Sequence, residues 1–297
     1  MKKSLTLKIT VLAVMAAFTL IFSALKITLP VRAMPFYDLQ PQKIVLRAEF
    51  STDYAKSSEE RKHNIRLAAK ALNNAFIDVN GEFSFNRVVG ARTEKRGYKL
   101  AKIIVGGEFT EGVGGGVCQV STTLYNAALL AGLKITEVHQ HSLAVSYVKP
   151  SFDAMVNSGS ADLRFINKTH NPVFINAFAD GKTLTVKIYG EPMREKYERK
   201  SVVVKEIEPE YSVITDDAGE YPDLYLGERK IIKYGKKGLI SEGYLIKKVN
   251  GKTVSEKRIR RNKYAAVNGV IVEGREIKPE SSGADGIEGG VFRESVA

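Results

Sequence analysis

The chain has 297 residues, of which 44% are hydrophobic and 26% are charged, and it carries a formal net charge of +12 at pH 7. This composition excludes a fibrous or wholly disordered protein, and the length is sufficient for two modest domains with hydrophobic cores. A pI near 9.5 predicts attraction to anionic surfaces, which include nucleic acid, phospholipid head groups and acidic wall polymers.

The N-terminus favours an exported protein. Lys2, Lys3 and Lys8 flank an uncharged run at 9–25, which has the order of an export signal and the length of a marginal membrane span. The small-residue site at 31–33 contains an arginine, so an uncleaved membrane anchor is as good a prediction as a removed signal peptide. We therefore expect a single N-terminal span with an extracytoplasmic domain, or secretion if the signal is cleaved. The membrane is then a partner through this helix, and nucleic acid is not a partner.

The segment that follows is predicted to hold a strand, a helix and a second strand. A short apolar strand candidate lies at 44–46, and Ser57 with Glu60 forms a capping-box pattern that opens a helix. Residues 82–86 carry alternating phenylalanines, as at a strand edge. The apolar face of the helix comprises Ile65, Ala68, Ala69, Leu72 and Phe76.

The next stretch places three glycines before the only cysteine of the chain. Gly114, Gly115 and Gly116 permit tight or left-handed turns and close approach of other groups. Apolar residues then recur at helical spacing until Gly132, so Cys118 is predicted to lie in the first turn of a helix. Unpaired N–H groups and the helix dipole lower the pKa of a thiol there. The alternative is a buried cysteine that serves as a small apolar side chain.

Beyond this helix the pattern predicts an antiparallel meander. Residues 134–148 read as one long or broken strand on which His139 and His141 face the same side. The predicted fold class is therefore α+β, with helices followed by an antiparallel meander. Further strands are predicted at 153–156, 163–166, 173–178 and 183–189, the last two forming a hairpin about an Asp-Gly turn.

The C-terminal part has a different composition. It starts with a charged, linker-like segment and continues as short β-rich runs, which predict a small all-β domain. The glycine-rich tail is expected to be disordered. The predicted organisation is a signal peptide or anchor at 1–33, the α+β domain at 34–190, the β domain at 191–279 and the tail at 280–297.

Three residues reproduce a nucleophile, a base and an orienting group in chain order. A Cys118 thiol needs a neighbouring imidazole to hold it as thiolate, and the imidazole needs a carboxylate to fix its tautomer. We predict His141 as the base, with His139 in reserve, and Asp153 as the orienting group. A single histidine on a strand is more often structural, so the hypothesis depends on the three residues together.

Several roles around this constellation stay open. Asp162 or Asn167 could replace Asp153 as the orienting group. Oxyanion donors could come from the backbone N–H of Cys118, from the Gln119 side chain or from the glycine turn. Gln119 is therefore grouped with the catalytic candidates. The candidate binding residues are Gly114, Gly115, Gly116, Ser121, Thr122, His139, Asp162 and Asn167.

A zinc site is the competing chemistry. Cys118, His139, His141 and Asp153 are possible ligand types, but the chain has no Cys-x-x-Cys or His-Glu-x-x-His pair. We therefore predict neither a metal nor a cofactor.

The cysteine region closely resembles the VanW family, which occurs in bacterial envelopes and is named after an accessory product of vancomycin resistance clusters. The resemblance implies export and a connection to the cell wall, and it does not imply a reaction. The C-terminal domain loosely resembles a G5-type module, which implies binding of glycans or wall polymers. The residues that carry the VanW resemblance are 81–86, 114–127, His141 with Ser142, Asp153 with Ala154, and 162–167.

Three functional hypotheses follow. The first is an anchored cell-wall enzyme that uses Cys118 to hydrolyse or transfer an amide; its Cys, His, Asp order is similar to transglutaminase-like and papain-like folds in topology alone. The second is a non-catalytic module that binds peptidoglycan or anionic wall polymers. The third is a scaffold within a resistance-associated complex.

Overall fold

The computed structural model describes residues 43–277. The predicted export segment and the predicted disordered tail lie outside these residues. Within 43–277 no helix has the length and apolar character needed to cross a membrane.

Three helices are present in this part of the chain. The first is capped by Ser58, whose Oγ accepts from the Arg61 amide at 3.3 Å, so the cap lies one residue after the predicted Ser57. Phe76, predicted on this helix, instead lies on a strand and is 55% exposed. The helices are α1 Glu59–Leu72, α2 Phe85–Val89 and α3 Val117–Leu130, with a 3-10 turn at Glu94–Arg96.

Strands make up most of the regular structure. In chain order the strands of residues 43–277 are β1 Val45–Asp53, β2 Ala75–Ile77, β3 Glu82–Ser84, β4 Leu100–Val105, β5 Glu108–Val113, β6 Lys134–Glu137, β7 Arg164–Ile166, β8 Val173–Ala179, β9 Thr183–Gly190, β10 Glu195–Ile207, β11 Tyr211–Thr215, β12 Arg229–Lys233, β13 Gly238–Val249, β14 Lys252–Tyr264 and β15 Gly269–Glu273.

The first part of the molecule wraps several small sheets around α3. A four-stranded antiparallel sheet has the order β1-β9-β8-β2, a second sheet has the order β3-β7-β6, and β4 pairs with β5. Alternate residues of β9, Leu184, Val186 and Ile188, are fully buried in the hydrophobic core, and β9 packs against α3. The predicted hairpin of β8 and β9 is confirmed.

The C-terminal part is all β, as predicted. β13 is the central strand of an antiparallel sheet with the order β10-β13-β14, and β15 is the central strand of a sheet with the order β11-β15-β12. Residues 43–277 fall within one compact unit. The fold is thus mostly β with few helices and several small sheets, which agrees with the α+β prediction only in outline.

The predicted meander is wrong between the central helix and β7. β6 ends at Glu137, and the segment that carries His141 and Asp153 has no strand, only an isolated bridge between His139 and Met155. Its backbone is paired with side chains instead, because the Ala154 amide and carbonyl both bond to hydroxyl groups of α3. We refer to residues 138–156 as the His–Asp loop.

The predicted strand at residues 82–86 is shorter than expected. Ser84 ends β3, and its Oγ accepts from the Arg87 amide at 3.1 Å, which caps α2. The serine side chain therefore converts the second half of an alternating pattern into a helix start.

Candidate active site

Cys118 lies in the first turn of α3, as predicted. Gly116 is the N-cap with φ +105°, and Gly114 has φ +87°, which are left-handed conformations that a glycine adopts without strain. The side chain of Cys118 is partly exposed. The turn therefore presents a thiol at the positive end of a helix.

The glycine turn is a fixed support. Gly115 is buried, and a Cβ there would lie 2.8 Å from the carbonyl carbon and oxygen of Ala101. The Asn64 side chain on α1 donates to Gly115 O at 3.0 Å and to Lys99 O at 2.9 Å. The turn is thus held between a helix and a strand, with Gly115 buried and Gly114 and Gly116 half-buried.

The structure brings His141 and Asp153 together beside this turn. His141 Nδ1 lies 2.8 Å from Asp153 Oδ2, and the His141 amide donates to the same oxygen at 2.7 Å. Both side chains are buried, at 6% and 1% exposure. Because Nδ1 is occupied by the carboxylate, Nε2 is the ring nitrogen available to the Cys118 thiol.

The three groups shift one another's protonation. Burial alone would lower the pKa of His141, but hydrogen bonds to Asp153 and Cys118 and the charges of both raise it to about 9. Burial alone would raise the pKa of Cys118, but the hydrogen bond and charge of His141 bring it below its ordinary value. The pKa of Asp153 is also lowered, because the interactions with His141 exceed the effect of burial. These directions favour a thiolate and an imidazolium.

The protonated thiol has a hydrogen bond of its own. Cys118 Sγ donates to Val156 O at 3.3 Å, which fixes the sulfur against the end of the His–Asp loop. The neighbouring amides of Val117 and Gln119 donate to Gly114 O and Gly116 O at 3.1 and 3.0 Å. Among residues 43–277 no acceptor is paired with the Cys118 amide, so this N–H is the candidate oxyanion donor.

Gln119 does not supply the predicted oxyanion donor. Its Nε2 donates both protons to β1, to Thr52 Oγ1 at 3.0 Å and to Asp53 O at 2.8 Å, and its Oε1 accepts from Arg61. The side chain is buried at 1% exposure. Gln119 therefore anchors α3 to β1 and α1, and its amide is not free to stabilise an intermediate.

His139 does not face the thiol either. Its Nε2 pairs with Glu137 Oε1 at 2.9 Å, on the partly exposed side of the chain. The expectation that it shares a side with His141 was wrong because the two residues lie on an irregular loop rather than a strand.

Ser121 and Thr122 hold the His–Asp loop and are fully buried. Ser121 Oγ donates to Ala154 O at 2.6 Å, and Thr122 Oγ1 accepts from the Ala154 amide at 2.9 Å. Asn126 Nδ2 adds a bond to Phe152 O at 2.8 Å. One face of α3 thus carries the thiol and fastens the segment that contains Asp153.

Asp162 and Asn167 are committed to turns rather than to His141. Asp162 accepts from Ser84 Oγ at 2.6 Å and from the Asn86 amide at 2.9 Å. Asn167 Nδ2 donates to backbone carbonyls, including Asn171 O at 2.9 Å. Neither replaces Asp153.

A cavity of about 470 Å³ lies beside Asp162 and is lined in part by Asn86 and Ser160.

Arg61, Arg92 and Tyr147 lie near the thiol, and Arg61 and Tyr147 were missed at the level of the sequence. The positive charge of Arg92 helps to lower the pKa of Cys118, and Arg61 also interacts with the sulfur. Tyr147 hydrogen-bonds Thr122, and burial, together with the charge of Cys118, raises its pKa, so its hydroxyl stays a donor. The prediction looked for a nucleophile, a base and an orienting group in the order of the chain, and that order does not indicate residues that act on the thiol through their charge.

Residues of the C-terminal sheet contact Asp153. The Tyr264 hydroxyl on β14 donates to Asp153 Oδ1 and accepts from the Ser151 amide at 2.8 Å. Arg260, on the same strand, donates to the Asp153 backbone carbonyl. These residues lie more than a hundred positions from Asp153, so no local pattern could indicate them.

The arrangement suits nucleophilic chemistry better than metal binding. His141 is hydrogen-bonded to the ionised Asp153 carboxylate and lowers the pKa of Cys118, whose sulfur lies at a helix N-terminus. Within residues 43–277 no group of three or more His, Cys, Asp or Glu side chains is placed to hold a metal ion.

Comparison with known families identifies two modules. Residues 60–189 match the family described as VanW like protein, and residues 198–276 match the G5 domain. The second match covers the sheets formed by β10 to β15. The structure therefore belongs to a class of proteins that join a VanW-type domain to a G5 domain.

Two curated proteins support this assignment. The chain is 44% identical over 167 residues to the uncharacterized protein YoaR of Bacillus subtilis, covering 54% of this chain and 55% of that protein. It is 32% identical over 117 residues to the vancomycin B-type resistance protein VanW of Enterococcus faecalis, covering 37% and 42%. The chain thus spans about half the length of each. It is a VanW-family protein with a C-terminal G5 module, as the resemblance implied, and both modules support a cell-envelope protein.

Two solved structures of G5 domains are similar to part of this chain. The G5 domain of an IgA1 protease is 21% identical, with 28% of this chain and 90% of that chain covered and a TM-score of 0.20. The HP0197-G5 crystal structure is 18% identical, with 28% and 100% covered and a TM-score of 0.18.

Proposed function

We propose that this protein is a cell-envelope enzyme that uses Cys118 to hydrolyse or transfer an amide of the cell wall. The observation that carries the proposal is the 2.8 Å contact between His141 Nδ1 and Asp153 Oδ2, together with the interaction by which His141 lowers the pKa of Cys118. The lowered pKa of Cys118 supports a thiolate near neutral pH.

The reaction proceeds through a thioester. The Cys118 thiolate attacks the carbonyl carbon of the amide, the S–C bond forms, and the oxyanion is stabilised by the Cys118 N–H. The C–N bond then breaks, and the His141 imidazolium gives its proton to the leaving amine. Water or a second amine attacks the thioester, His141 takes the proton of this nucleophile, and the thiolate leaves as the new acid or amide is released.

The cellular setting is part of the proposal. The lysine-flanked apolar run before residue 26 supports an extracytoplasmic location, either anchored by one span or secreted. The net charge of +12 supports contact with peptidoglycan or anionic wall polymers. The Enterococcus relative is named for vancomycin resistance, and we extend a wall-related role to this chain as a hypothesis.

The decisive experiment measures the rate of Cys118 alkylation by iodoacetamide between about pH 5 and pH 9. The same chain unfolded in urea is a matched reference, because Cys118 is its only cysteine. We expect the folded thiol to react faster at acidic and neutral pH, with a lower midpoint. A folded profile equal to the unfolded one would contradict the proposal.

Activity is tested with peptidoglycan fragments and mass spectrometry. The wild type is expected to cleave or exchange an amide and to form a transient thioester on Cys118. Cys118→Ala should abolish both changes and leave binding to isolated walls intact. His141→Gln should do the same, because the leaving amine then lacks its proton donor.

A second candidate function is non-catalytic binding of wall polymers. The G5 match and the basic composition favour it, since a positively charged β module can bind an anionic polymer without any thiol chemistry. Slow alkylation, together with full wall binding by Cys118→Ser and no product from fragments, would select this function over the enzyme.

A further inference from the structure

We propose that Tyr264 and Arg260 of the G5 domain are positioning residues for the thiol chemistry, so that the active site is shared between the two modules. The proposal rests on the proposed function and adds a requirement to it. The C-terminal sheet would be part of the enzyme rather than a separate adhesive domain.

The first observation is the saturation of Asp153. Oδ2 accepts two hydrogen bonds from His141, and Oδ1 accepts one from the Tyr264 hydroxyl. Tyr264 is 1% exposed, so no water competes for this bond. Tyr264 therefore fixes the rotation of the carboxylate and leaves Oδ2 directed at the imidazole.

The second observation is that the same strand holds both sides of the His–Asp loop. The Ala265 amide, at the end of β14, donates to Ser142 O at 2.8 Å, and Gln140 Nε2 donates to Lys263 O at 2.7 Å. These two contacts flank His141 directly. The positions of the imidazole and of the carboxylate are thus both set by residues 260–265.

The third observation is close packing between the sheet and the loop. Ser241 Oγ on β13 lies 2.7 Å from Ser151 Oγ, and a Cβ at Gly243 would lie 3.0 Å from Ser151 Cβ. Arg199 on β10 stacks over Phe152 at 5.0 Å. A module that only bound polymer would not need buried, specific contacts at this loop.

The test compares Tyr264→Phe with Tyr244→Phe in the full chain. Tyr244 is a matched control, since its hydroxyl donates to the Glu242 carboxylate at 2.6 Å on β13, away from the thiol. Tyr264→Phe removes one hydroxyl and leaves the ring, so we expect alkylation by iodoacetamide at pH 7 to slow about tenfold and its midpoint to rise. Tyr244→Phe should keep the wild-type profile.

Arg260 provides a second variant, because it bonds to the Asp153 backbone carbonyl and not to the carboxylate, on which it acts by charge alone. Arg260→Lys retains a cationic donor and is expected to keep most of the reactivity, whereas Arg260→Gln should slow alkylation. Thermal unfolding of each variant separates a folding defect from loss of positioning. A wild-type pH profile in a folded Tyr264→Phe variant would overturn the inference. An ordinary thiol profile in the wild type would instead overturn the proposed function.

A different observation concerns the substrate. Arg61 and Arg92 are half-buried and packed against the glycine turn, where Cβ atoms at Gly116 and Gly114 would lie 3.0 Å from Arg61 Cγ and 2.9 Å from Arg92 Cβ. Their guanidinium groups bond only to neutral acceptors, Ser57 and Gln119 for Arg61, and Gly90 and Asn86 for Arg92. Within residues 43–277 neither guanidinium lies within ion-pair distance of a carboxylate.

We infer that these two arginines bind a carboxylate of the substrate next to the amide that the thiol attacks. Each guanidinium is partly desolvated and interacts with the charge of Cys118, but it contacts no carboxylate, which is its best bidentate partner. The predicted substrate class is therefore a peptide with a free carboxylate near the scissile bond. This inference also rests on the proposed function.

The test uses two alkylating reagents of similar size, anionic iodoacetate and neutral iodoacetamide. Both react with the thiolate, so the ratio of their rates cancels changes in thiolate content and reports local charge. We expect this ratio to fall about threefold to tenfold in Arg92→Gln and Arg61→Gln, and to stay unchanged in Arg87→Gln, an exposed arginine bonded to Glu82 O. An unchanged ratio in the first two variants would reject the carboxylate subsite. Slow reaction of wild type with both reagents would reject the proposed function.

Discussion

The thiol end and the carboxylate end of the triad are built differently. Cys118 is positioned by a glycine turn and a helix start, which are adjacent in the chain, and Asn64, 51 positions before Gly115, adds a hydrogen bond to the turn. Asp153 is held by Tyr264, 111 positions away. The thiol end follows from local backbone chemistry, whereas the carboxylate end exists only after the C-terminal sheet has packed. We therefore expect a change at either end of the triad to slow alkylation of the Cys118 thiol.

The largest effect is expected when the Asp153 carboxylate is removed. Asp153→Asn removes the charge that stabilises the imidazolium and places an amide against two His141 donors. We expect alkylation near neutral pH to slow by on the order of a hundredfold or more, and the free energy of unfolding to fall by about 3 kcal/mol. Asp180→Asn, in the exposed turn between β8 and β9, should leave the alkylation rate unchanged. Equal reactivity of Asp153→Asn and wild type would mean that the two ends are not coupled.

The next effect concerns the thiol end. Gly115→Ala adds a methyl group 2.8 Å from the Ala101 carbonyl, so the glycine turn must shift. Overpacking of this kind is expected to cost about 2 kcal/mol in urea unfolding and to slow alkylation of Cys118. Gly159→Ala is the control, because its added Cβ would meet nothing within 4 Å. If Gly115→Ala is as stable as this control, the turn is not the rigid support described above.

A smaller effect is expected for Ser121 of α3, the helix that carries Cys118 and bonds to the loop that contains Asp153. Ser121→Ala removes the 2.6 Å bond to the buried Ala154 carbonyl. Loss of a partner by a buried acceptor is expected to cost about 1–2 kcal/mol and to raise the alkylation midpoint. Ser51→Ala, which removes an exposed bond to Thr185, should change the unfolding free energy by less than about 0.5 kcal/mol. Equal costs for the two serines would show that the loop does not depend on α3.

The smallest effect tests whether the thiol and imidazole form an ion pair. His141 has a pKa raised from 6.5 to about 9, so its contribution to stability is complete below 6.5 and is lost as pH rises through about 9. The pKa of Cys118 is lowered from 9.0, so its contribution is present above 9.0 and is lost as pH falls through the folded value. The two slopes oppose each other in this window, so the wild-type unfolding free energy should vary less with pH than the His141 contribution alone.

Cys118→Ser separates the two slopes. Only the His141 contribution remains, so the unfolding free energy of this variant should fall by on the order of 1 kcal/mol as pH rises from about 6.5 to 9. Urea unfolding at several pH values measures it. A steep wild-type curve over the same range would argue against the ion pair.

Sequence patterns predicted those parts of the molecule that depend on neighbouring residues. The start of α3 at Cys118, its end before Gly132 and the hairpin of β8 and β9 follow from glycine conformations and alternation. These features need no distant partner. The choice of His141 and Asp153 came from residue chemistry and chain order, and the structure places both beside Cys118.

Features that depend on tertiary contacts were not predictable in this way. Alternation suggested a strand through His141, but serine and threonine hydroxyls of α3 pair with the backbone of the His–Asp loop in place of a strand. Gln119 was assigned to catalysis because it follows the cysteine, yet its side chain faces β1. Tyr264 and Arg260 have no sequence signal, because their role depends on where β14 packs.

The contact between Asp153 and Tyr264 also bears on the order in which the active site is completed during synthesis and folding. A polypeptide is made from its amino end, and Cys118 is complete long before the last long strand exists. A chain in which that strand has not yet docked lacks the hydroxyl partner of Asp153. Under the proposed function we therefore expect the thiol to reach full reactivity only after β14 has packed, so that an incomplete chain reacts more slowly with bystanders and oxidants.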